Sequence, residues 1–165
     1  MRPLVPDDVK RLHDQDFLAW SKEQAEALRT AANAGSNLAL DWENLAEEIE
    51  DLGTSQQSAL HSQIRRIIQH FLKLEYSPAD DPRRGWSESI DGARAEIDYL
   101  FQMSPSLRRE VDAAIAAETS RAIRLVVRDL EAYGEIDRAG GARLRATTYT
   151  AEQILGDWFP PKNHN

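Results

Sequence analysis

Few side chains in this sequence offer chemistry. The 165-residue chain has four histidines and no cysteine, which removes thiol nucleophiles, disulfides and thiolate metal sites together. A ferritin-like di-iron site needs Glu-x-x-His pairs projecting inward from neighbouring helices, but His13, His61 and His70 follow Lys10, Ser58 and Ile67 at that spacing. The His-Glu-x-x-His pattern, the Walker loop, the glycine-rich dinucleotide turn and the Gly-x-Ser-x-Gly elbow are absent as well. What is left is ionisable groups beside apolar stripes. Glu118 falls within the stripe set by Val111, Ile115, Ala122 and Leu125, where a carboxylate needs an arginine, a histidine or a metal, or takes up a proton. A salt bridge to Arg65 or Arg94 answers that need most simply. His70 lies beside Ile67 and Leu74 and suits a hydrogen-bonded structural histidine or the wall of a pocket. An enzyme alternative joins Glu48, His70 and Glu118 in an inter-helix pocket for acid–base work or one divalent ion. His61 and His70 stand about 180° apart on one helix and cannot ligate an ion together.

The helices that must carry these groups are legible from spacing. In LDWENLAEEIEDLG (40–53) Asp41 is a natural N-cap, Leu40 and Leu45 bracket it as a staple, and Leu45, Ile49 and Leu52 form a stripe predicted to face the core. Gly53 is placed to end this helix. On that wheel Glu43, Glu47 and Glu50 point to water, while Asn44 and Glu48 flank the stripe. Thr54 and Gln57 then begin a second, central helix to Tyr76, with Leu60, Ile64, Ile67, Phe71 and Leu74 on one stripe and Ile68 and Leu72 widening it.

Before these, Asp14 to Ala32 reads as a helix through Phe17, Trp20, Gln24 and Leu28, broken by Asn33–Asn37. After the loop SPADDPRRG, the residues Trp86, Ile90, Ala93, Ile97 and Leu100 keep helical period to Met103. Ser104-Pro105 starts a long helix towards Tyr133, whose apolar face widens at Glu118, so that it is either sandwiched between layers or broken around Glu118–Ser120. The glycine-rich segment 134–146 has no clear period. Thr150 with Gln153 makes a capping box, Tyr149 and Ile154 a staple, and the closing Trp158-Phe159 should dock on the bundle. No segment alternates with period two. The expected fold is all-α, a single-domain bundle of about five main helices and a short C-terminal helix with no sheet. Residues 1–12 are expected as a loose arm, 13–161 as the domain and 162–165 as a tail.

The net charge of −8 is uneven: residues 1–53 hold 5 Lys/Arg against 12 Asp/Glu, and the remainder 15 against 16. Such a surface repels phosphate backbones and anionic lipid. No apolar run approaches the roughly 20 residues that span a bilayer, and the opening residues lead us to expect no secretory signal, so the expected location is cytoplasmic.

The ordered set HDQDFLAWSKEQAEALR, LDWENLAEEIEDLG, His70-Phe71-Leu72-Lys73, Trp86/Ser89/Ile90, SPSLR, YTAEQIL and WFP resembles the bacterial family of domain of unknown function number twenty-nine, over roughly His13 to Pro161. The resemblance implies an all-helical bacterial protein and brings no catalytic pattern. The Gly140-Gly141 pair departs from it. The residues themselves favour a non-catalytic interaction or regulatory module, with Glu43, Glu47, Glu50 and Asp51 as a surface for a basic protein partner or a second copy. No metal or cofactor is called for. A nucleic-acid surface would rest on Arg121, Arg124 and Arg128, joined by Arg108 and Arg109, against the net charge.

Overall fold

The computed structural model describes residues 6–162; of the expected arm and tail, residues 1–5 and 163–165 lie outside the described residues. Seven α-helices occur among the described residues, with no strand: α1 Pro6–Gln15, α2 Phe17–Asn33, α3 Trp42–Tyr76, α4 Arg83–Met103, α5 Val111–Ala132, α6 Arg138–Arg145 and α7 Ala151–Leu155, with a 3-10 turn at Pro105–Glu110 before α5. The all-α fold is as expected. The described residues form two compact units, one of 6–59 with 99–109, the other of 60–98 with 110–162.

In the first unit, α1 occupies residues expected as a loose arm, because Pro6 suits the first helical position and Asp7 and Asp8 favour the first turn. Asp16 caps α2: its carboxylate accepts from Ala19 N at 2.9 Å, Ser106 N at 2.7 Å and Ser106 Oγ at 2.9 Å. Ser104 Oγ accepts from Leu18 N at 2.9 Å and donates to the Gln56 side chain. Two short polar side chains thus satisfy donors that the start of α2 leaves unpaired, and they tie a segment about ninety residues away to it. Leu18, Ala25, Ala46, Phe101 and Leu107 are buried here.

The break expected at Gly53 does not occur. Helix α3 runs through it, and Gly53 is absent from the positive-φ glycines, Gly35 and Gly134. A Cβ at Gly53 would stand 2.0 Å from Ser21 Oγ and 3.1 Å from Leu18 Cδ1. Glycine is therefore present for the close approach of α2, and Thr54 and Ser55 bond back to the carbonyls of Glu50 and Leu52 as helix-interior hydroxyls. The buried face of α3 is correspondingly rotated from the predicted stripe: Ala46 and Gly53 are buried and Ile49 is half-buried, whereas Leu45 is 39% exposed, Leu52 53% and the staple partner Leu40 48%. Gly53→Ala is expected to lower stability by about 1–3 kcal/mol despite alanine's better helix propensity. Urea unfolding checks this. Adding Ser21→Ala, which removes the nearest clashing atom, should recover part of the loss; a Gly53→Ala protein as stable as wild type would refute the contact.

The second unit is built around the rest of α3. Leu60, Ile64, Ile67, Ile68, Phe71, Leu72 and Leu74 are all buried, as their spacing predicts, and each large one contributes roughly 1.5–3 kcal/mol relative to exposure. From α4 come Ile90, Ala93 and Ile97; from α5 come Val111, Ile115, Ala122, Val126, Val127 and Leu130. Helix α5 is continuous through Glu118. Leu125, predicted on the buried side, is 37% exposed. Segment 134–146 contains α6, capped by Asp137 through Gly140 N at 2.7 Å. Its glycines hide the period: a Cβ at Gly141 would come 3.1 Å from Glu131 Oε1. The capping box of Thr150 and Gln153 is present. Phe71 is ringed by Tyr149 and Trp158, each 5.2 Å between centroids, and Phe159 at 6.3 Å, so the aromatic end docks as expected.

Candidate functional site

The chemistry-bearing residues separate in the structure. Glu118 is fully buried and its oxygens are occupied: Oε1 accepts from His61 Nδ1 at 3.0 Å and Arg121 Nη1 at 2.9 Å, and Oε2 accepts from Arg65 Nη1 at 3.0 Å. His61 and Arg65 are one turn apart on α3, and Arg121 one turn from Glu118 on α5, so helical spacing aims all three donors at one point. Burial pushes the Glu118 carboxyl up, but the His61 hydrogen bond and the charges of Arg121 and Arg65 outweigh it and hold the group below the usual carboxylate range. Of the two arginines expected for it, Arg65 is the partner. Arg94 instead donates to the carbonyls of Ile154, Gln153 and Trp158.

His70 takes no part in this cluster. It lies nine residues beyond His61 on α3, roughly 13 Å along the axis and on the opposite flank. Its Nδ1 is buried without a hydrogen-bond partner among the described residues. Burial, with Lys73 and Arg66 nearby, pulls its pKa down to about 4, and it is a neutral ring at pH 7. Glu48, on the part of α3 that belongs to the first unit, is exposed, as is Asn44, which donates to Asp41 at 2.6 Å. Glu50 accepts from Arg29 Nη2 at 2.7 Å, and Glu43 lies 3.8 Å from Arg29 Nε; Arg29 is held more firmly protonated by Glu50. The four-residue acidic surface is thus half engaged within its own unit, leaving Glu47 and Asp51 unpaired among the described residues.

Around Glu118 the surface is basic. Arg65, Arg121, Arg124, Leu125 and Arg128 line an open groove, and Arg124 and Arg128 continue into a second one with Ile123, Val127 and Arg145. Arg128 has only Asp129 nearby, at 3.9 Å, and Arg124 is unpaired among the described residues. Arg121, Arg124 and Arg128 share a sector as their spacing predicts. Arg65 was invisible to that reading, since only tertiary packing brings it beside them, and His61 likewise. Arg108 belongs to the first unit, its guanidinium 4.4 Å from the Phe101 ring centroid. No group of three or more metal-ligating side chains occurs among the described residues, and no helix there is long and apolar enough to cross a membrane.

The sequence model of the family described as domain of unknown function DUF29 matches residues 12–159. The chain belongs to this family. Among solved structures it is similar to an alpha-helical protein of unknown function from Rhodospirillum rubrum, with 24% identity, a TM-score of 0.71, and 88% of this chain and 89% of that one covered. That likeness shows a shared fold for this family member. No curated protein matches the sequence.

Proposed function

We propose that this family member is a cytoplasmic, non-catalytic interaction module, and that its arginine groove binds an acidic protein segment. The observation that supports this reading is the grouping of Arg65, Arg121, Arg124 and Arg128 in one groove, where Glu118 accepts from Arg65 and Arg121 and Arg128 has a longer contact of 3.9 Å to Asp129. Glu118 fixes the first two, which lowers the entropy cost of presenting their guanidinium groups, while Arg124 and Arg128 keep their charge for a ligand. Leu125, exposed between them, favours a protein segment with an apolar residue among its carboxylates over a bare phosphate chain. The acid–base or metal reading of Glu48, His70 and Glu118 has less behind it, since Glu118 is already held by three donors and His70 takes no part in that cluster.

The test uses a fluorescein-labelled acidic amphipathic peptide with leucine and glutamate at helical spacing, beside a single-stranded oligonucleotide of equal charge. The peptide is expected to bind at low salt, and Arg124→Glu/Arg128→Glu to weaken it by about tenfold or more with melting unchanged. No peptide binding, or binding indifferent to charge reversal, would overturn the reading; preference for the oligonucleotide would assign the groove to nucleic acid.

A further inference from the structure

The stripe that the sequence assigns to the core, and that the structure leaves in solvent, is the feature of α3 still without a role. Leu45 and Leu52 are two turns apart on its outer face, with Glu48 between them and Asp51 alongside. Neither Glu48 nor Asp51 has a partner among the described residues. Single exposed leucines are ordinary; two in register, framed by unpaired acids, form a docking seam.

The same chain carries the complementary seam. On α5, Arg121, Leu125 and Arg128 stand at spacings of four and three, with Arg124 beside them, matching Leu45, Glu48 and Leu52 at three and four. Each seam spans eight residues, a rise of about 10.5 Å along the helix. Laid against each other, one presents leucine, acid, leucine and the other arginine, leucine, arginine. Leu125 then sits between Leu45 and Leu52, while Glu48 and Asp51 meet Arg124 and Arg128.

We infer that the acidic segment taken by the arginine groove is the outer face of α3 from a second copy of this chain, an inference that rests on the groove reading above. Both seams are helix faces of matched length, opposite charge and shared apolar content, which an arbitrary acidic partner would not need to be. A two-turn contact buries less than the roughly 1,200 Å² of a standard interface, so the association is weak, concentration-dependent and loosened by salt.

Sedimentation velocity at rising concentration, in low and in high salt, tests this. Wild type is expected to move from the 18.7 kDa monomer to larger species at low salt. Arg124→Glu/Arg128→Glu and Glu48→Arg/Asp51→Arg, all at exposed positions, should each remain monomeric, because each makes both seams alike in sign. Mixed in equal amounts, the two variants should associate again, since every seam then finds its opposite. A wild type that stays monomeric at its highest soluble concentration overturns the inference, and so does association that either variant retains or that mixing fails to restore. If wild type is monomeric yet binds the acidic peptide through Arg124 and Arg128, the groove reading survives and only the second copy is rejected; if the peptide also fails, both fall.

Discussion

Glu118→Gln is expected to lower the unfolding free energy by about 2–3 kcal/mol at neutral pH, and Glu118→Ala by about 3–5 kcal/mol. The amide keeps the shape and one acceptor, but its NH2 is turned towards a cationic donor, losing a charge-assisted bond and creating a donor–donor contact. Alanine loses all three bonds and leaves a cavity at a fully buried position. The cations left behind are not stranded, because His61, Arg65 and Arg121 keep 34%, 33% and 58% of their side-chain surface in water. The sign with pH follows from the lowered carboxyl. A group whose folded pKa lies below its unfolded value stabilises fully above the unfolded pKa and loses that contribution as pH falls through the folded one. Urea midpoints of wild type and Glu118→Gln should therefore differ most at pH 7, still differ at pH 5, and converge below the usual carboxylate range near 4.5. Equal midpoints at pH 7, or a gap that widens on acidification, would contradict the ion cluster.

What could be read from spacing, and what could not, divides along one physical line. The Leu60–Leu74 stripe, the Thr150 box and the Asp41 cap depend on residues within a few turns of each other, and local geometry decides them. The direction of the first half of α3 does not. Two apolar faces about 80° apart compete there, one of leucines and one of Trp42, Ala46, Ile49 and Gly53, and hydrophobicity alone selects the leucines. Close packing selects the other: Ala46 is fully buried, and the Ser21 and Leu18 side chains leave no room at Gly53, with Ser21 Oγ 2.0 Å from the place a Cβ would occupy. A glycine placed for such an approach looks in sequence like a helix stop. The same ambiguity concealed α6, where Gly140 and Gly141 are both buried. The Glu118 cluster was half legible: the need for a cation followed from its place in an apolar stripe, and Arg65 was one of two expected partners. His61 could have been inferred only with Arg65, as a second donor one turn earlier on the same face. The division of work between Arg65 and Arg94 depended on where the C-terminal segment comes to rest.

That segment makes Arg94 the site of the other large effect. Helix α7 ends at Leu155, and although Glu152 O accepts from Gly156 N at 2.9 Å, the carbonyls after it lie beyond the reach of the helix's own amides. Arg94 supplies the donors: Nε to Ile154 O at 3.0 Å, Nη2 to Gln153 O at 3.0 Å and Nη2 to Trp158 O at 2.7 Å. Its guanidinium also faces the Phe159 and Phe71 rings, at 4.9 and 5.5 Å from their centroids. Burial lowers the arginine pKa, opposed by Asp91 and Asp157, and it remains a cation at any ordinary pH. Arg94→Met keeps the apolar stem but orphans three carbonyls beside the aromatic cluster, and should cost about 3 kcal/mol or more. Arg94→Lys keeps the charge without the planar fork, satisfies fewer carbonyls and should cost about 1–2 kcal/mol. Both losses act first on residues 151–160, which are held by these bonds and by the edge-to-face contact of Trp158 with Phe71. Limited chymotrypsin digestion under native conditions should therefore cut after Trp158 or Phe159 faster in Arg94→Met than in wild type, with Arg94→Lys between them, and urea midpoints should fall in the same order. If Arg94→Met is cut no faster and unfolds at the wild-type midpoint, the aromatic docking alone holds the C-terminal segment and the arginine is dispensable to it.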